Sequence, residues 1–281
     1  MDKSAKFRIE HNKISNDIKL TTIGIQPFEK MDLPDTIYKY RCWNDIFHRT
    51  ILTERTVFMA APSSFEDPLD CKNPIRWDLL RKKDIYFKYY LLIRKEKPNW
   101  PKRVCKSWAK TWYKKSPLRD KTFVKAQQLQ ILKDFDARFG VLSLTANPNN
   151  DLMWKAYSDN YEGFCVGFSP SILFKYLGGG AEVQYVDELP TIYPSPRHNY
   201  EAQHFLQVFY KQKKWSYEEE YRTHKISPTP FTIEGRKIVI PPDAYKEIII
   251  GKNMPTSIQK ELTRSIPREL KNITIIYQGN R

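Results

Sequence analysis

The stretch KKWSYEEEYRTHK, residues 213–225, sets three consecutive glutamates inside a run that is otherwise aromatic and basic. From Trp215 to Arg222 it alternates well enough to be read as a strand, and side chains on a strand repeat with a period of two. Glu218 and Glu220 would then share one side, with Glu219 on the other, toward solvent. Two acids on one side suggest a pair of working carboxylates. The competing reading is a solvated acidic face.

Around this stretch, strand character recurs in TIYKYR (36–41), TVFMAAP (56–62), GVLSLTA (140–146), GFCVGF (163–168) and AEVQYV (181–186). It returns near the end in RKIVIPP (236–242), YKEIIIG (245–251) and ITIIYQ (273–278). Helical spacing of apolar residues marks 42–55, 151–161, 170–180, 200–213 and 257–266. Residues 76–138 read as three helical pieces parted by KPNWPK and SPL. Strands and helices mix without regular alternation, so the expected class is α+β: a mixed β core with a basic helical insertion at about 76–138. Residues 1–33 are polar and read as an N-terminal arm, leaving 34–281 as a single domain.

The composition, 41% hydrophobic and 14% aromatic, is that of a globular chain and excludes intrinsic disorder. No stretch of 18 apolar residues and no secretory h-region occurs, so no membrane partner is expected. Cys42, Cys71, Cys105 and Cys165 are widely spaced, which fits a reducing cytoplasm and offers no metal-ligand spacing.

The net charge is +15, and residues 81–138 alone hold 18 Lys and Arg against 5 Asp and Glu, a net of +13. A block of this kind attracts polyanions. Within it Trp108 and Trp112 share a helical face among Lys102, Arg103, Lys106, Lys110, Lys114 and Lys115, a pattern in which aromatics stack bases while cations meet phosphates. Nucleic acid is therefore the expected partner.

Five motifs in order carry a resemblance. They are YKYR at Tyr38–Arg41, SFEDPLDC at Ser64–Cys71, Trp154 and Tyr157 followed by GFCVGF at Gly163–Phe168, WSYEEEYR at Trp215–Arg222, and IIIG at Ile248–Gly251. Over roughly residues 37–277 the chain resembles a widespread bacterial family, the domain of unknown function numbered 2971. It departs from the usual pattern at Glu66 and Leu69. More distantly, an early Arg, a middle Ser/Thr strand and a late Glu-x-Glu are similar to NAD-dependent ADP-ribosyltransferases of the Arg–Ser–Glu type.

That second resemblance implies an ADP-ribosyltransferase-like core with NAD as cofactor, and a setting such as a toxin or phage-defence effector. Glu220 would stabilise the oxocarbenium-like transition state and Glu218 would act as general base on the acceptor. Arg41 would grip the dinucleotide, Ser143 (with Thr145 beside it) would brace a catalytic glutamate, and Tyr157 or Trp154 would stack on the nicotinamide. Arg222 is expected to pair with Asp67 or Asp70 as a structural lock on the EDPLD loop. Two alternatives stay open: a metal-dependent nuclease using Asp67, Asp70, Glu218 and Glu220, and a non-catalytic nucleic-acid-binding module.

Overall fold

The structure, a computed structural model, describes residues 7–15, 18–25 and 32–279. The chain divides into two compact units, one of residues 1–27, 67–135 and 188–210, the other of 28–66, 136–187 and 211–281. Among the described residues no helix is long and apolar enough to cross a membrane.

In the first unit, much of the arm expected over 1–33 is a hairpin of β1 (Phe7–Ser15) and β2 (Ile18–Ile25), while residues 1–6, 16–17 and 26–31 lie outside the described residues. Its antiparallel register sets Phe7 opposite Ile25 and Ile9 opposite Ile23. The basic segment forms α2 (Lys82–Glu96), α3 (Lys102–Lys115) and α4 (Lys121–Arg138), following α1 (Ile46–Thr53) of the other unit. Cys105 and Ala109, small and four apart, let α3 approach Ile93 of α2 closely, with Tyr86, Tyr89, Tyr90, Trp100 and Trp112 packed around them. The turn between these helices is tied by Arg94, which donates to the Pro98 and Trp100 carbonyls at 3.1 and 2.8 Å.

The second unit is built on a seven-stranded sheet. In chain order its strands are β3 (Ile37–Arg41), β5 (Phe139–Thr145), β6 (Phe164–Phe168), β7 (Ala181–Glu182), β10 (Glu220–Ile226), β12 (Tyr245–Ile250) and β13 (Thr274–Tyr277). The spatial order is β13-β12-β6-β3-β5-β10-β7, and the β12–β13 pair is parallel while its other neighbours run antiparallel. The fold is α+β with a mostly antiparallel sheet. The remaining strands are β4 (Thr56–Phe58), β8 (Gln184–Val186), β9 (Tyr210–Gln212) and β11 (Lys237–Val239). The remaining helices are α5 (Asp151–Tyr157), α6 (Pro170–Leu177), α7 (Tyr200–Val208) and α8 (Thr256–Ser265).

Strand alternation decides what each face carries. Leu142, Leu144, Phe164, Val166 and Tyr221 join Leu173 and Phe174 of α6, Ile51 and Leu52 of α1 and Leu262 of α8 in the main core. The alternate residues Ser143, Thr145, Glu220 and Arg222 therefore lie on the opposite face. That face also carries Tyr40 and Cys165, covered by Trp154 of α5 and by Tyr161. Gly163 opens β6 because a Cβ there would stand 2.2 Å from the Arg41 carbonyl oxygen.

Candidate functional site

The WSYEEEYR stretch is not one strand. Lys213–Glu218 is a run of 3-10 helix, and β10 begins only at Glu220. Between them Glu219 takes a left-handed conformation, φ 44°, which breaks the alternation. Its exposed carboxylate accepts a hydrogen bond from Asn147 Nδ2 at 2.8 Å, and its carbonyl accepts from the Ala146 amide at 3.1 Å. Glu218 reaches the site from the helical turn and Glu220 from the strand.

The helix expected over 200–213 likewise stops at Val208, and β9 carries Lys211 instead. That lysine is the centre of the arrangement. Its ammonium donates to Glu218 Oε2 and, at 3.3 Å, to Glu220 Oε2. The Tyr157 hydroxyl donates to Glu218 Oε1 at 3.0 Å. Arg222, two residues along the same strand face, places Nε on Glu220 Oε1 and Nη2 on Glu220 Oε2, both at 2.8 Å. Both glutamates are 4% exposed, Lys211 is 6% and Arg222 is 0%. The two carboxylates thus meet cations away from water, the condition under which buried charges are tolerated.

The two acids differ in character. Burial pushes the Glu218 carboxyl up, against the pull of Lys211, and the negative charge of Glu220 adds to the rise. Burial also acts on Glu220, but the Arg222 guanidinium and the Lys211 ammonium prevail and hold it well below the usual carboxylate range. Ser143, opposite Arg222 in the β5–β10 register, also hydrogen-bonds the Glu220 side chain. The Glu220 amide donates to the Tyr185 hydroxyl oxygen at 3.0 Å. Groups whose environments drive their pKa values apart are suited to different roles in acid–base chemistry.

The β3 cation that feels both glutamates is Lys39. Sequence reasoning placed Arg41 there. Among the described residues β3 and β5 are joined at the single pair Tyr38–Thr145, and Lys39 Nζ donates to the Ser143 carbonyl at 2.6 Å. Burial and the neighbouring Arg41 push the Lys39 ammonium down to about 7, although Glu220 and Glu218 oppose the shift. Arg41, pushed down to about 10 by burial against the opposing pull of Asp45 and Cys42, donates to the Tyr40 carbonyl at 3.3 Å. His48 joins that group, lowered to about 4 by burial and by Arg41.

Other expected residues take different places. Trp154 is 0% exposed, stacked on Tyr161 at 5.4 Å and edge-on to Tyr40 at 5.0 Å. Its indole is enclosed by protein, so it gives a nicotinamide no surface and the platform role expected for it is withdrawn. Thr145, also fully buried, accepts from the Asn147 amide at 3.0 Å. Asp67 and Asp70 belong to the first unit, where the Leu69 amide donates to Asp67 Oδ1 at 3.1 Å. Arg222 lays its fork on Glu220. Among the described residues no three His, Cys, Asp or Glu side chains gather into a set able to hold a metal ion.

In the first unit, the face of α3 bearing Lys106, Lys110 and Lys114 lines an open groove of about 580 Å³ with Lys82, Lys83 and Tyr86 of α2 and with Tyr113. Lys102 continues the same i, i+4 row, while Arg103 and Lys115 are exposed elsewhere on α3. Trp112 packs against the α2–α3 core, edge-on to Tyr89 at 5.8 Å, and is not among the residues lining the groove. Trp108 is 47% exposed beside Trp100.

Lys39 and Lys211 were missed by sequence reasoning. Lys211 had one legible signal, its position seven residues before Glu218; Lys39 had only its place inside YKYR. No curated protein and no solved structure matches the chain. Residues 153–223, which include Tyr157, Lys211, Glu218, Glu220 and Arg222, match the model of a family described as Protein of unknown function (DUF2971), in support of the family likeness read from the motifs.

Proposed function

We propose that the chain is an NAD-dependent, ADP-ribosyltransferase-like enzyme with nucleic acid as its acceptor. The observation that carries this reading is the pair of buried carboxylates that share Lys211, one held ionised by Arg222 and the other raised toward its protonated form. NAD would supply a nicotinamide–ribose bond whose breaking leaves positive charge on the ribose carbon.

Glu220 offers that charge a fixed anion, oriented by Arg222 and Ser143 before any substrate arrives, as electrostatic stabilisation requires. Glu218 is suited to take the proton from an incoming hydroxyl or amine, because a base titrating closer to neutrality transfers protons more effectively. A ribose would reach the carboxylates by displacing Lys211. Lys39 and Arg41, both on β3, are the cations available for a pyrophosphate. Tyr157 orients Glu218 through its hydroxyl.

The test is incubation with labelled NAD and RNA, single-stranded DNA, duplex DNA or lysate, with Glu220→Gln and Glu218→Gln in parallel. Label transfer should fall at least about 100-fold in Glu220→Gln, the scale of losing one preorganised electrostatic group. Absence of NAD consumption, or equal consumption by Glu220→Gln, refutes the reading. Strand scission that needs Mg²⁺ and ignores NAD would replace it with a nuclease.

A second reading is favoured by one observation: each oxygen of both carboxylates already has a partner within the protein. On that reading the network only holds the fold, and the chain is a non-catalytic nucleic-acid-binding module. It is distinguished by nucleic-acid affinity that survives Glu220→Gln with no turnover of NAD or strands.

A further inference from the structure

We infer that the groove between α2 and α3 binds single-stranded nucleic acid, its bases stacking on Tyr86 and Tyr113 and its phosphates meeting lysines of both walls. The inference deepens the transfer reading by naming the acceptor site, and it rests on that reading only for the acceptor's role.

Charge gives the first argument. Five lysines line the groove, and no acidic residue does. Asp84, the acid nearest on α2, is fully buried and paired with Arg81 and Arg197, so it does not oppose an anion. Lys106, Lys110 and Lys114 repeat every four residues, so their stems are spaced about 6 Å apart along the helix. A row of this kind follows a phosphate backbone.

The tyrosines decide the form of the nucleic acid. They line the groove from α2 and from α3, and Arg119 stands 5.1 Å over one face of the Tyr113 ring, covering that face and adding a cation beside it. A base reaches a ring in a groove only when it is unpaired and can turn out of its own stack. Duplex backbone would meet the lysines and leave the rings unused. An anionic membrane would draw on charge alone, since the rings lie in the groove.

The experiment is fluorescence anisotropy of the full chain, without NAD, against labelled oligo-dT, oligo-U and a duplex of equal length, with phosphatidylserine vesicles tested by sedimentation. The single strands should bind at least tenfold tighter than the duplex, and more tightly than the vesicles. Lys106→Glu/Lys110→Glu/Lys114→Glu, all at exposed positions, should reduce the salt slope by about 2, from roughly 0.7 per phosphate contact. Tyr113→Ala should weaken binding roughly 5- to 150-fold, the range for losing one stacked base. Tyr113 is the ring to change because Tyr86 also packs on the α2–α3 core. Equal affinity for duplex, preference for vesicles, or unchanged binding by either variant when circular dichroism shows it folded would overturn the proposal. NAD hydrolysis without acceptor is measured on the same lysine variant. Absence of hydrolysis in the unaltered protein, with strand binding intact, would remove the transfer reading alone.

Discussion

Replacing Lys211 with Met tests the network most directly. The substitution keeps most of the side-chain length and removes the charge that both carboxylates share. At 3.3 Å from Glu220 Oε2, each such attraction is about 5 kcal/mol at an effective dielectric constant near 20, before the cost of taking the charges out of water. Removing one partner of a buried pair usually costs about 3–5 kcal/mol, because it strands the other charge. Here Arg222 still neutralises Glu220, so Glu218 is the group left exposed to the loss. Its carboxyl, already raised by burial, rises further once the pull of Lys211 is gone.

The sign follows from that rise. A carboxyl whose folded pKa lies above its unfolded value costs no stability at low pH, and destabilises as pH climbs past the unfolded value. Lys211→Met should therefore lose about 3–5 kcal/mol at pH 8 and progressively less toward pH 5. Adding Glu218→Gln should recover most of the loss. Urea denaturation across this pH range, followed by tryptophan fluorescence, measures it. A loss below about 1 kcal/mol that does not vary with pH would show that Lys211 does not hold these acids together.

The Lys39 ammonium, pushed down to about 7 from 10.5, makes the folded chain bind fewer protons than the unfolded chain between those values, so stability should rise with pH across that window. Lys39→Met should flatten the rise; a curve unchanged by the substitution refutes the assignment. Trp154→Ala should cost about 3–5 kcal/mol by calorimetry or denaturant midpoint, as for a wholly enclosed aromatic. Glu219→Gly should be neutral or slightly stabilising because φ is 44° there, whereas Glu219→Val should destabilise, both read from the melting temperature.

Much of the sheet was legible because its apolar residues alternate. GVLSLT puts Leu142 and Leu144 in the core and leaves Ser143 on the far face, and β10 does the same with Tyr221 between Glu220 and Arg222. The misreading of Glu218 as a strand residue has a local cause: one left-handed residue at 219 interrupts a pattern that looks continuous in single letters. Lys39 and Lys211 were opaque for another reason. A lysine in a sequence carries no mark of burial, and the register that brings Lys39 near Glu220 spans most of the chain. Trp112 shows the reverse error. Its four-residue offset from Trp108 suggests one shared face among lysines, but Trp112 packs with Cys105 and Ala109 against α2 while Trp108 stays exposed. The division into two units was hidden because residues 67–135 and 188–210 return to one body from distant parts of the chain.

The single pairing of Tyr38 with Thr145 has a mechanical meaning. Ladders of several rungs resist shear, whereas one rung supplemented by the Lys39 amine on the Ser143 carbonyl behaves as a seam with a clip. Since burial holds that amine's pKa below its value in water, opening the seam is easiest on the acid side, and amide protons bordering it should exchange sooner than those of β6 or β12. The sheet is continuous in outline but jointed between β3 and β5, beside the paired acids.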